Sequence, residues 1–179
     1  MPKVQRAIPG PKAGSGFTLI EILIVVIVLG ILAMIIVPQI SVSTEDAKIN
    51  TLKTNLSNMR SAIELYYHQH NNRYPGQYKE TDGTTAVTSD AEAAAAFIAQ
   101  MTQYTDANGK VSTTKTDVFK YGPYLKEGIP ANPFKDNSLA CDFDQNDITV
   151  RTADGTTGWK FHPVTGVLFA NDHTDHDDF

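Results

Sequence analysis

The dominant hydrophobic feature lies near the start of the chain. Ile22 to Val37 are sixteen consecutive residues without a polar side chain, and Phe17 to Val37 is a 21-residue segment interrupted only by Thr18 and Glu21. At about 1.5 Å per residue a helix of that length reaches about 31 Å, close to the roughly 30 Å of a bilayer's hydrocarbon. The pattern predicts one transmembrane helix. A helix buried in its own protein would need partners on every side, and the rest of the chain could hardly enclose it.

Past Val37 the period stays helical. Ile49, Leu52, Leu56, Met59, Ile63 and Tyr66 are spaced 3, 4, 3, 4 and 3, which lays an apolar stripe along one helix face. One helix from Phe17 to about His70 would reach roughly 80 Å, with Pro38 inside it to bend it or break one turn. Asn71 to Gly76 is a run of helix breakers and 76–89 a polar loop. Ser89-x-x-Glu92 is a capping box, and apolar residues at helical spacing predict a second helix over about 90–104. Asp106 to Gly109 reads as a turn, and 110–120 as weakly strand-like. Ile148–Thr152, Gly158–His162 and Val167–Ala170 are strand candidates, the last two joined through Pro163-Val164-Thr165-Gly166 as a hairpin. The fold class expected is α+β: a long N-terminal transmembrane and spine helix packed on a small antiparallel sheet of three or so strands.

Composition narrows the classes. The 179 residues, 41% apolar and 20% charged, suit one modest folded domain. A net charge of −5 offers no general basic field for a polyanion, so no nucleic-acid partner is expected. The single Cys141 excludes an intrachain disulfide and a cysteine-built zinc site. By segment, 1–16 carries +3, 17–43 carries −1 and 44–179 carries −7. A basic start, an apolar stretch and an acidic remainder fit an N-terminus kept in the cytoplasm and a head exported across the membrane.

Glu21 is the anomaly. A carboxylate within an apolar span costs about 2.5 kcal/mol or more at mid-bilayer, less near the edge, and an intramembrane charge points to a partner. A cleavable secretory signal, for which Ser41-Val42-Ser43 offers a small-x-small site, gains nothing from it. Snorkelling to the interface is the plain alternative. Gly16-Phe17-Thr18-Leu19-Ile20-Glu21, following a short basic leader, resembles the processing site of type IV prepilins and type II secretion pseudopilins. The resemblance implies cleavage between Gly16 and Phe17 by a membrane prepilin peptidase, with N-methylation of Phe17. It also matches Gly30 and Pro38 to helix positions, read as bends, that are familiar in the family. Removal of the leader exposes an α-amine, and Glu21 can then pair with the Phe17 ammonium of an adjacent subunit, each charge compensating the other in an apolar core.

Further along, Tyr74-Pro75 resembles the pair that closes the spine helix in pseudopilins. Tyr121-Gly122-Pro123-Tyr124-Leu125-Lys126 and Ile129-Pro130-Ala131-Asn132-Pro133-Phe134 resemble the connector of major, G-type pseudopilins. Three prolines and two glycines in the fourteen residues 121–134 make a stiff extended loop able to clasp the spine. The organisation implied is a cleaved leader at 1–16, a transmembrane and assembly helix at 17–37, the periplasmic half of the spine at 38–70 and a globular head at 71–179. The function implied is that of a structural subunit of a type II secretion pseudopilus, polymerising through its N-terminal helix. Its partners would be further copies of itself, the prepilin peptidase, the inner-membrane secretion platform and minor pseudopilins. A type IV pilus pilin and a membrane-anchored periplasmic enzyme or binding module are the alternatives.

No enzyme is expected, since phosphate loop, nucleophile elbow and zincin motifs are all missing from the sequence. His68 and His70 are read as meeting the helix C-terminus, whose partial negative charge favours imidazolium. Asp142, Asp144 and Asn146 have calcium-loop spacing, but Asp147 and Ala153 stand where an EF-hand needs glycine and glutamate. The tail holds Asp172, Asp175, Asp177 and Asp178 with His173 and His176. Major pseudopilins carry a C-terminal calcium loop, and by that resemblance Asp172, Asp175 and Asp177 are candidate Ca²⁺ ligands. A solvated acidic tail is the alternative.

Overall fold

The computed structural model describes the backbone of residues 16–179 and the side chains of 16–34 and 44–179. Helix α1 covers Leu19–Gln69, and the chain divides into two compact units between Thr44 and Glu45. The division leaves the outer half of the spine with the head. In the first unit, large apolar side chains from Phe17 to Met34 are all 48% or more exposed among the described residues. Among the described residues no helix is long and apolar enough to cross a membrane. The expected span runs on to Val37, and the bend expected at Pro38 also falls outside the residues whose side chains are described.

In the second unit the predicted stripe is the core. Leu52, Leu56, Met59, Ile63 and Tyr66 are at most 2% exposed. Each aliphatic residue so buried contributes about 1.5–3 kcal/mol. The spine stops where Asn71 and Asn72 turn left-handed (φ 56° and 57°), a conformation asparagine tolerates better than most residues. Helix α2 (Asp90–Thr102) starts at Ser89, whose hydroxyl accepts the Glu92 N–H at 3.3 Å, and it buries Ala93, Ala96, Phe97 and Met101. The Glu92 carboxylate reaches back to the Thr88 N–H and hydroxyl, one residue earlier than a strict capping box requires.

The turn at Asp106–Gly109 joins β1 (Tyr104–Thr105) to β2 (Val111–Ser112) as an antiparallel pair. The larger sheet contains β3 (Leu139–Cys141), β4 (Trp159–His162) and β5 (Val167–Ala170) in that order. β4 and β5 form the expected antiparallel hairpin, whereas β3 runs parallel to β4, so the sheet is mixed. The class is α+β as expected, with one strand misplaced. Residues 148–152 are not a strand. Asp147 takes the Thr149 N–H at 2.8 Å and its hydroxyl at 2.7 Å, a local bond that competes with strand pairing and leaves Ile148 64% exposed.

The proline-rich connector clasps the spine. Tyr124 and Leu125 N–H both donate to the Met101 carbonyl at 2.9 Å, and the Tyr124 hydroxyl donates to Gln69 at 2.6 Å. Asn55 of α1 donates to the Ala131 carbonyl at 3.0 Å.

Candidate functional site

The six residues Gly16 to Glu21 stand at the start of α1. Gly16 and Phe17 are exposed, Phe17 by 84%. Glu21 Oε2 accepts from Thr18 N–H at 2.7 Å and from the Thr18 hydroxyl at 2.6 Å, while Glu21 N–H donates to Thr18 Oγ1 at 3.3 Å. That is a reciprocal capping box, and it places the carboxylate where the helix dipole favours negative charge. Within one chain the Glu21 charge is thus satisfied by its own helix start. Thr18-x-x-Glu21 repeats the capping pattern of Ser89-x-x-Glu92, a role for Thr18 beyond its place in the motif. Farther along α1, a Cβ at Gly30 would meet nothing within 4 Å.

The tail does not gather its aspartates. Asp172 Oδ1 accepts from Asn132 Nδ2 and Oδ2 from His176 Nδ1, both at 2.6 Å. Asp177 Oδ2 accepts the Ala153 N–H at 3.3 Å, while the Asp175 side chain is 83% exposed beside His173. Among the described residues no three His, Cys, Asp or Glu side chains come together so as to hold a metal ion. The candidate calcium ligands Asp172, Asp175 and Asp177 thus do not converge as side chains. Donors already fill the oxygens of Asp172, and the three side chains point to different neighbours.

Two further titratable groups, His70 and Cys141, are buried in the head. His70 is fully buried, with Nδ1 at 2.8 Å from the Tyr66 carbonyl and Nε2 at 2.9 Å from the Thr105 hydroxyl. It does meet the end of α1, as expected, but burial lowers its pKa, so it does so as a neutral ring that donates through Nδ1 and accepts through Nε2. Burial likewise pushes the Cys141 thiol well above its ordinary value, helped by Asp90 and Asp142, which leaves it no nucleophile.

Residues 12–37 match the family model described as the prokaryotic N-terminal methylation motif. Among curated proteins, the chain is similar to the type II secretion system core protein G of Pseudomonas aeruginosa, 44% identical over 52 residues, covering 29% of this chain and 37% of that one. The proteins of the same name from Pectobacterium carotovorum and Aeromonas hydrophila are each 38% identical, over 34% of this chain and 38% and 42% of theirs. The matched part thus spans about two fifths of these relatives' length. No solved structure gives a significant match. An N-terminal methylation motif heading an α+β fold makes the chain similar to type IV pilin-like prepilins. Within that class, the shared name of the relatives supports a major, G-type pseudopilin.

Proposed function

We propose that this chain is a non-catalytic structural subunit of a type II secretion pseudopilus. In this reading it sits in the inner membrane by its N-terminal helix, N-terminus in the cytoplasm and head in the periplasm. Prepilin peptidase cuts between Gly16 and Phe17 and methylates the new Phe17 amine. The subunits then polymerise through α1, on an inner-membrane platform and with minor pseudopilins, into a filament that drives protein export.

One observation carries the reading. The Gly16–Glu21 motif opens a helix whose apolar residues, from Phe17 to Met34, are left exposed among the described residues. Such a surface suits lipid before assembly and copies of itself afterwards. Because lipid solvates it about as well as other helices do, association must be set by packing and polar contacts. The open space at Gly30 allows close helix approach, and Glu21 can exchange its Thr18 bonds for the Phe17 ammonium of a neighbour, fixing axial register.

The test pairs mass with microscopy. Intact mass of material from a peptidase-competent host should correspond to a chain starting at Phe17 plus one methyl group. Glu21→Ala should reach the membrane yet give few sheared filaments. A retained leader, or normal filament yield from that variant, overturns the reading.

A further inference from the structure

Family resemblance leads one to expect an ion in the C-terminal loop, and the side chains there do not fit one. Calcium takes six to eight oxygens at about 2.3–2.6 Å. The Asp172 side chain is only 4% exposed and each of its oxygens already faces a nitrogen donor at 2.6 Å. To reach it, a cation would have to expel both the Asn132 amide and the His176 imidazole, leaving two donors unpaired in places largely shut off from water. We infer that a latch made only of protein groups, Asn132–Asp172–His176, closes this head in place of a divalent cation.

Asn132 is the hub. Its Nδ2 donates to the Gly158 carbonyl at 2.8 Å and to Asp172 at 2.6 Å, and its Oδ1 accepts the Phe134 N–H at 2.9 Å. Both donors and the acceptor of a buried amide are thereby used, joining the connector, the approach to β4 and the tail. His176 supplies the second half. Its side chain is 14% exposed, and its ring lies 4.6 Å from that of Phe134 and 5.5 Å from that of Phe179, centroid to centroid. The rings screen the bond to Asp172 from solvent, where a charge-assisted hydrogen bond is strongest. Phe179 carries the closure onto the spine: Arg60 Nη2 donates to its carbonyl at 2.6 Å and Lys53 Nζ lies 4.2 Å above its ring. The latch therefore ties connector, sheet and tail to α1. It belongs to the head alone and does not depend on whether the chain polymerises.

The test is thermal unfolding of the full chain in detergent, followed by the fluorescence of Trp159, which is buried beside Gly158. A strong chelator, or millimolar calcium added after it, should leave the melting temperature unchanged. His176→Ala and Asn132→Ala should each lower it by about 5 °C or more, equally with and without calcium. His176→Gln, which keeps a donor, should recover part of the loss. A melting temperature that drops on chelation and returns with calcium overturns the inference, even if the variants fail to fold. So does wild-type melting in both alanine variants.

Discussion

The indole Nε1 of Trp159 donates to the Pro130 carbonyl at 2.7 Å, so the first residue of β4 holds the proline-rich connector in place. The ring itself is fully buried in the core formed with the spine. A smaller aromatic residue loses the bond and leaves a gap. Trp159→Phe should cost about 2–4 kcal/mol, read from denaturant unfolding by circular dichroism. A loss below about 1 kcal/mol would mean that the connector is held mainly by its contacts with α1 and α2.

Those contacts divide into parts the sequence announces and parts it conceals. The spine stripe from Leu52 to Tyr66 is legible because a period of 3.6 repeated over many residues has one physical solution, and the Ser89 cap and the Pro163–Gly166 turn are legible because their bonding is local. Strand β3 is three residues long and pairs with β4 across a distant connection, so no local pattern marks it. At Ile148-Thr149-Val150 a β-branched run pointed the wrong way because a preceding aspartate won the backbone. The site divides similarly. Gly16 to Glu21 is a motif of fixed order, whereas the tail offers four aspartates that look alike in sequence. Only tertiary packing distinguishes Asp172, at 4% side-chain exposure, from Asp175 at 83%.

Two buried histidines predict the pH response. His70 and His162 are at most 1% exposed, and burial is the main cause lowering the pKa of each. Tyr66, Thr105, Tyr121, Tyr124 and Asp106 surround the first, and Asp142, Lys160 and Phe169 the second, whose Nδ1 has no hydrogen-bond partner among the described residues. In the unfolded chain both rings take up a proton below about pH 6.5, while the folded chain resists it, so the unfolded state binds more protons and stability falls with pH from there downward. The melting temperature should drop between about pH 7 and pH 5.5 and the drop should shrink in His162→Gln. A flat profile over that window would show that neither ring resists protonation.

Gly166 is fixed by a neighbour as well as by its backbone. Its φ is +73°, and a Cβ there would strike the ring of Tyr74, which stacks on Tyr67 at 4.4 Å. Gly166→Ala should therefore cost about 2–3 kcal/mol through strain and displacement of Tyr74. Gly128 has a similar φ of +85° with nothing within 4 Å, so Gly128→Ala should cost only the conformational part, about 1 kcal/mol. Equal losses in the two variants would remove Tyr74 from the account.

Thr18 and Glu21 can be separated by substitution, because capping and assembly make different demands on them. The Thr18 hydroxyl both donates to the Glu21 carboxylate and accepts the Glu21 N–H, so Thr18→Ala removes the cap while leaving the charge. Loss of such a cap costs about 1 kcal/mol, which amounts to roughly fivefold faster exchange of the first amides of α1 in detergent. Thr18→Ser keeps the hydroxyl and should exchange as the parent does. If the carboxylate is shared with a neighbour's Phe17 ammonium in the filament, Thr18→Ala should weaken the helix start yet still assemble, while Glu21→Ala should lose both. Unchanged amide exchange at Leu19 to Ile22 in Thr18→Ala would mean that the hydroxyl does not hold the helix start, and the carboxylate would then have to be stabilised by some other group.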